Sequence, residues 1–403
     1  MSIAHRHQLL GSAFSPNSPI NTKQLFCGRM EQLRRVLQVT EDSSVHAVLF
    51  GERGVGKTSL ANVMPQCMPL NICVRVAAES GDGLISLMNK IGKRIVIKER
   101  QQAGLLIPKI TETQLPLEFP PNSDVDAIVQ ILSSLPDRCL LIFDEYDRIP
   151  PDSSTRKQMA EVIKGLSDAS AKATILIVGV ANDVSSLIGE HPSLDRCLRQ
   201  IRMQRMSSEE LVEIIDRGLT MLHMTMVSHI KDGIVRASAG FPHFTHLLAK
   251  HAANIALNNG EIIIDEDHFV LALESAVEDA HESLRQAYQT AKLATRPTHF
   301  RDVLFACALV DEDDAGTFPA SALAPILEDI LHNPLRIAQF GYHLGKLCEL
   351  ERGPILNKLG THNRHRYSFV NPLMKPYLRL EYERYVLRDE EDIGTNDVDE
   401  DPE

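Results

Sequence analysis

Gly51-Glu-Arg-Gly-Val-Gly-Lys-Thr58 matches GxxxxGK[ST] at every fixed position. Just before it, Val45-His-Ala-Val-Leu-Phe50 is a short β-branched and apolar run that predicts a strand. Thr58 to Met64 predicts the start of a helix. Strand, loop, helix is the order this pattern needs to hold phosphate. Gly51, Gly54 and Gly56 let the backbone turn sharply and approach a phosphate with no Cβ in the way. Successive main-chain N–H groups then point at the phosphate chain, and the positive end of the helix dipole adds to them. The candidate binding set is therefore Gly51, Glu52, Arg53, Gly54, Val55, Gly56, Lys57, Thr58 and Ser59. Lys57 suits the β- and γ-phosphates, and the Thr58 hydroxyl suits Mg²⁺. The expected cofactors are ATP and magnesium.

A second stretch supports the first. Cys139-Leu-Leu-Ile-Phe-Asp-Glu-Tyr-Asp147 is an apolar strand that runs straight into two acids. In a parallel sheet, carboxylates at the C-terminal strand edge face the ligand crevice. Asp144 suits magnesium, mainly through the ion's water, and Glu145 suits polarising the attacking water. A strand that merely ends in solvated acids is the plainer alternative. Further along, Ser153 to Ala169 predicts a helix and Ala173 to Asn182 an apolar strand. A short helix, Val184 to Gly189, and a strand, Gln200 to Met206, follow. Helices alternating with buried strands mean a parallel α/β sheet.

This order of motifs resembles AAA+ ATPases, particularly the branch of origin-recognition and initiator ATPases with their archaeal-type relatives. The resemblance covers roughly residues 20–385 and rests on the two motifs above. It implies a P-loop NTPase core with a parallel α/β sheet, then an all-α lid and a winged-helix domain. Phe26-Cys-Gly28-Arg29-Met-Glu31 resembles the segment that packs near the adenine in this branch. By position, Asn182 matches the sensor-1 residue near the γ-phosphate, with a turn residue at a strand end as its alternative. Arg196, in Ser193-Leu-Asp-Arg-Cys197, matches an arginine finger. A finger delivered in trans implies a homo-oligomer. Arg196 as a surface ion-pair partner is the alternative, and Arg199 competes for the role. His243 stands where this family commonly keeps a sensor-2 arginine. It either contacts nucleotide or caps the helix start, and the departure implies slow or partner-stimulated hydrolysis.

The expected organisation is a lead-in segment (1–44), the ATPase core (45–206), a helical lid (207–282), a winged-helix-like domain (283–388) and an acidic disordered tail (389–403). Leu211, Ile214, Ile215 and Leu219 recur at helical spacing in the lid. A long polar helical stretch, Asp265 to Ala294, precedes the C-terminal domain. There, helices are expected at Phe300 to Leu309, Ser321 to Leu331 and Pro334 to Leu350. A hairpin is expected from Cys348 to Arg352 and Tyr367 to Val370. On the third helix Arg336, Gln339, His343 and Lys346 are candidates for a DNA groove. Lys358, Arg364 and Arg366 are candidates for phosphates, so DNA contact is assigned to residues 334–366. A winged helix that binds protein is the alternative. Residues 96–122 interrupt the sheet pattern with several prolines and read as a surface insertion without a chemical role.

Bulk properties bound these readings. The 403 residues exceed one small core. The net charge of −12 argues against a general nucleic-acid coat. It is uneven, however. Residues 389–403 hold nine acids and no base, and residues 351–388 hold eight Lys/Arg against three acids. The seven cysteines show no zinc spacing and read as reduced thiols. No apolar run approaches the ~18 residues of a membrane helix, and the start lacks a signal peptide's pattern. A cytoplasmic protein without a membrane partner is expected. Two functions follow: a nucleotide-driven switch or motor on DNA, or a STAND-like signalling or defence ATPase that regulates a separate effector protein. For the second, no effector domain is read within this chain.

Overall fold

The computed structural model describes residues 1–42, 44–68, 72–102, 108–114, 116–181, 183–189, 194, 196–293, 298–313, 315–360 and 365–396. The chain folds as two compact units. One is Ser18–Gln204; the other joins Met1–Asn17 to Arg205–Glu403. Helix α1 (Ile3–Ala13) therefore belongs with the C-terminal half.

The Ser18–Gln204 unit runs α2 (Met30–Glu41), β1 (His46–Gly51), α3 (Lys57–Cys67), β2 (Ile72–Ala77), α4 (Leu84–Gly92), β3 (Val96–Gln102) and β4 (Pro108–Gln114). It continues with α5 (Val125–Ser133), β5 (Cys139–Asp144), α6 (Ser154–Asp168), β6 (Ala173–Val180), α7 (Ser185–Ile188) and β7 (Leu198–Arg202). Five strands form one parallel sheet in the order β2-β5-β6-β1-β7. Every residue of β1 and β5 is buried, as their unbroken apolar runs require of strands covered on both faces. The chain leaves β1, crosses to the edge strand β2 and returns later, so the sheet has a switch in strand order beside β1. Such a switch opens a crevice at the C-terminal strand ends.

Residues 96–102 and 108–114 pair as an antiparallel hairpin, which gives the proline-rich interruption a regular shape. Beyond it, the Phe119 main chain is bracketed by the Asn89 amide, at 2.9 and 3.0 Å, and its ring is buried.

The other unit contains α8 (Ser208–Leu222), β8 (Thr225–Met226), α9 (Ser228–Ser238), α10 (Pro242–Asn258), β9 (Ile263–Ile264), α11 (Glu266–Glu278) and α12 (Glu282–Lys292). Ser207 and Glu210 form a reciprocal capping box that starts α8. Helix α1 packs on α8 and α10. The Phe14 ring lies so near Gly218 that a Cβ there would meet it at 2.2 Å. Buried Arg6 donates to the carbonyls of Leu222 and His223 at the C-terminal end of α8. There follow α13 (Phe300–Leu309), β10 (Phe318–Pro319), α14 (Leu323–Leu331), α15 (Ile337–Lys346), β11 (Leu356–Leu359), β12 (Arg366–Phe369) and α16 (Met374–Asn396). The last three strands form an antiparallel sheet in the order β10-β12-β11.

Several expectations shift. The lead-in segment divides between the two units at Asn17, and residues 207–282 and 283–388 share one unit. The hairpin's first strand is Leu356–Leu359 rather than residues 348–352, which form a tight turn. Gly353, in the left-handed region at φ 55°, and Pro354 after it separate that turn from the strand. The polar stretch 265–294 is two helices, broken after Glu278. Of the acidic segment, residues 389–396 continue α16, and the remainder lies outside the described residues.

Candidate functional site

The loop from β1 to α3 has the backbone its glycines dictate. Gly51, Gly54 and Gly56 stand at φ 153°, 88° and 96°. At Gly51 a Cβ would lie 2.3 Å from the Met203 carbonyl oxygen, so the β1–β7 junction permits no side chain. At Gly56 a Cβ would meet nothing within 4 Å, which is open space at the mouth of α3. Among the described residues, the N–H groups of Gly54, Val55 and Gly56 donate to no protein acceptor. The first N–H groups of α3 lack intrahelical partners by construction.

Lys57 is buried, and its Nζ donates to the carbonyls of Gly51, at 2.9 Å, and Glu52, at 2.7 Å. Burial pushes its pKa down to about 8, against the pull of Asp147, Asp144 and Glu52. The site thus holds a desolvated ammonium beside several unclaimed amides. That set of donors fits a polyphosphate. Val55 is fully buried, and its carbonyl accepts from Arg29. Arg29 is itself in the left-handed region at φ 57° and also reaches the Gln204 carbonyl. Ser59 turns away from the loop; its hydroxyl accepts the Ile20 N–H at 3.1 Å.

At the end of β5, Asp144 is almost fully buried. Its Oδ2 takes two bonds from Arg75 on β2, from Nε at 3.0 Å and Nη2 at 2.5 Å. Its Oδ1 accepts the Glu145 N–H at 2.8 Å. Glu145 is a non-glycine residue held at φ 55°, and its carboxylate pairs with Arg148 at 3.0 Å. Asp147 lies close behind. Its Oδ1 accepts the Val180 N–H at 2.8 Å, which ties the turn after β5 to the end of β6. Buried Arg156 on α6 reinforces that tie, donating to the carbonyls of Ile149, Asp147 and Ser186. A metal held here would meet oxygen donors, the Thr58 hydroxyl and the Asp144 carboxylate, which suit Mg²⁺.

Arg196 is exposed and pairs with Asp168 at 3.3 Å. Arg199 is exposed on β7. Asn182 lies outside the described residues. His243, at the start of α10, belongs to the other unit. Its Nδ1 lies 2.8 Å from the Pro16 carbonyl, its ring stacks on His281 and burial lowers its pKa.

Of the C-terminal basic candidates, Arg366 and Lys346 are paired, as are several other cations of that region. Arg366 donates to the Thr317 carbonyl at 2.9 Å and pairs with Asp313 at 2.8 Å. Arg352 reaches the carbonyls of Ala291 and Leu293 and covers the Phe300 ring at 3.6 Å. Lys375 is buried against Glu312 at 3.0 Å, and Arg379 bonds the carbonyls of Ala308 and Arg236. Arg384 pairs with Glu381, and Lys346 with Glu349 at 2.7 Å. The His343 ring packs edge-on to Phe300 at 4.7 Å. The Gln339 side chain accepts the Arg336 N–H at 2.7 Å as a helix cap. Arg336 and Lys358 remain exposed; Arg364 lies outside the described residues.

Sequence reasoning gave no role to Arg75, Arg156 or Asp147. Arg75 sits in the alternating run Ile72-Cys-Val-Arg-Val-Ala77, where it reads as an outward base on a strand. Only the β2–β5 register, Arg75 opposite Ile142, brings it to Asp144 two residues on.

The solved structure of a Walker-type ATPase from Pyrococcus abyssi aligns at TM-score 0.51 and 16% identity. That alignment covers 90% of this chain and 99% of the other, a likeness of fold. The Holliday junction branch migration complex subunit RuvB of Helicobacter acinonychis is 25% identical over 245 residues. RuvB of Helicobacter pylori strain G27 matches to the same extent. These matches take in 58% of this chain and 62% of the relatives, so the chain spans less than two thirds of their length. The parallel five-stranded sheet with its glycine-rich loop is a P-loop NTPase fold. Among the described residues no helix is long and apolar enough to cross a membrane. The sequence from residue 18 to 254, more than half of the chain, matches novel STAND NTPase 1, and the chain belongs to that family.

Proposed function

We propose that the protein is a magnesium-ATP-driven switch whose C-terminal module engages a separate protein partner. The observation that carries the nucleotide half is the buried Lys57 ammonium beside the unclaimed amides of Gly54, Val55 and Gly56. Lys57 and those amides bind the phosphates, Thr58 and Asp144 hold magnesium, and Glu145 polarises the attacking water. For that step Glu145 leaves Arg148. Asn182, outside the described residues, is kept as a sensor of the γ-phosphate, and Arg196 as a finger offered to a neighbouring copy, so the working form is a homo-oligomer. Exposed Arg196, which among the described residues makes a surface pairing with Asp168 at 3.3 Å, is free to move to a partner's phosphate.

Residues 300–370 have the helix, strand, helix, helix, hairpin order of a winged helix. A protein partner is favoured because that module pairs Arg301, Lys346 and Arg366 with its own carboxylates or carbonyls, and Arg352 with the carbonyls of Ala291 and Leu293. It also leaves Ile337, Tyr342, Leu350, Leu359 and Val370 exposed. Apolar and aromatic groups at a surface suit protein contact. Family membership points the same way, to a STAND-type regulator. DNA is the second reading, supported by exposed Arg336 and Lys358 and by the likeness to RuvB, a branch-migration subunit by name.

ATP turnover measured with and without duplex and branched DNA, across a salt series, separates the two. The protein-switch reading expects turnover unchanged by DNA and no salt-dependent DNA binding. Stimulation by DNA that weakens steeply with salt would overturn it in favour of the second.

A further inference from the structure

Arg75 occupies the Asp144 oxygen that the water of a bound magnesium ion would need. Arg75 and Asp144 lie on adjacent strands, in a register that puts Arg75 opposite Ile142, and Asp144 is two residues beyond. Residues two apart on a strand share a face, so Arg75 and Asp144 are diagonal neighbours on one face of the sheet. The guanidinium uses this placement fully, bringing Nε and Nη2 to the single oxygen Oδ2. The other oxygen is occupied by the Glu145 N–H. The Asp144 side chain is 3% exposed and Arg75's is 29% exposed. The carboxylate therefore cannot trade its partner for water, whereas the guanidinium has a route to solvent.

We infer that Arg75 is a positioning residue that sets the magnesium threshold of the nucleotide site. This rests on the proposed assignment of Asp144 to magnesium. While Arg75 holds Oδ2, the carboxylate is aimed and neutralised, and nucleotide without metal enters beside Lys57 and the loop amides. A magnesium ion held through its water would claim the same oxygen, and the guanidinium, which has a route to solvent, would have to give it up. The ion pair keeps a buried carboxylate satisfied in the empty site and raises the metal concentration needed to close it.

Labelled ATP is titrated into the full chain in excess chelator and at stepped magnesium concentrations, for wild type, Arg75→Ala and Arg75→Lys. In Arg75→Ala the magnesium concentration at half-maximal tightening falls about tenfold, while affinity in chelator stays within about twofold. Arg75→Lys, which keeps the charge but not the fork, lies between. Thermal melts on the same samples show that the variants are folded. They also show a larger gain on adding magnesium-ATP to Arg75→Ala than to wild type, because its buried carboxylate starts unpaired. An unchanged or raised half-point in a folded Arg75→Ala that binds ATP overturns this inference alone. Failure of wild type to take up ATP in a magnesium-dependent way overturns the nucleotide assignment and this inference with it.

Discussion

The phosphate-loop end of the core and the C-terminal module between residues 298 and 370 both carry conspicuous cations, yet they use them oppositely. In the core, Lys57 rests on two carbonyls and Arg75 on the Asp144 carboxylate, partners that a magnesium nucleotide would compete for under the proposed function. In the module, Arg366 and Arg352 are bound to carbonyls, a carboxylate and a ring of the module or the helix before it. A cation held by exchangeable partners is poised for a ligand. A cation held by the fold is a structural part, whatever a charge count suggests.

The largest effect tests the core side of that contrast. Glu145→Gln keeps the shape of the side chain but removes the charge that pairs with Arg148 and is proposed to polarise water. Turnover of ATP is expected to fall on the order of 10³-fold with nucleotide binding retained. Turnover like wild type would remove Glu145 from the chemistry. Next, Lys57→Ala removes the ammonium and leaves the amides. Affinity for magnesium-ATP in calorimetry is expected to drop roughly 100-fold. A small loss would mean that Lys57 belongs to its two carbonyls as Arg366 belongs to Thr317, and the contrast would fail.

The module is tested by a pair of substitutions. Arg366→Ala loses two hydrogen bonds and an ion pair across residues 313–317, and is expected to cost about 2 kcal/mol of stability in denaturant melts. Lys358→Ala, exposed on β11, is expected to cost less than about 0.5 kcal/mol. If instead both leave stability alone and both weaken DNA binding in low salt, the module's cations are ligand-facing after all.

The same contrast explains what was legible in the sequence. The phosphate loop is readable because backbone geometry dictates residue type: Gly51 has no room for a Cβ and Gly56 stands in the left-handed region. The strands β1 and β5 are readable because burial on both faces forces apolar runs. Arg75 was not readable, since its partner lies 69 residues away and only strand register joins them. Arg366 was misleading for a similar reason: Asp313 and Thr317 answer it from some fifty residues upstream. Helix α1 carries no strong periodicity of its own. Its anchor is Arg6 on the end of α8, and no local pattern announces that. Motifs fixed by the main chain survive in one dimension, whereas pairings made by the fold do not.

A last test asks whether even a basic side chain inside the core follows the rule. His46 lies in β1 with 1% of its surface exposed, and its Nδ1 accepts the Ile175 N–H at 3.0 Å. That acceptor role requires a neutral ring with its proton on Nε2. Burial pushes its pKa down to about 4 from an ordinary 6.5. The unfolded chain therefore binds the proton first as pH falls, and stability is lost between about pH 6.5 and 4 rather than gained. At pH 5.5 the cost from this one group is about 1 kcal/mol relative to pH 7.5. His46→Asn supplies an amide oxygen as acceptor but cannot titrate. Denaturant melts at the two pH values are expected to show a drop smaller by that amount in His46→Asn than in wild type. An equal drop in both proteins would mean that His46 tolerates its proton where it sits. The core would then hold a charge that nothing in β1 or β6 answers, contrary to the pattern set by Lys57 and Asp144.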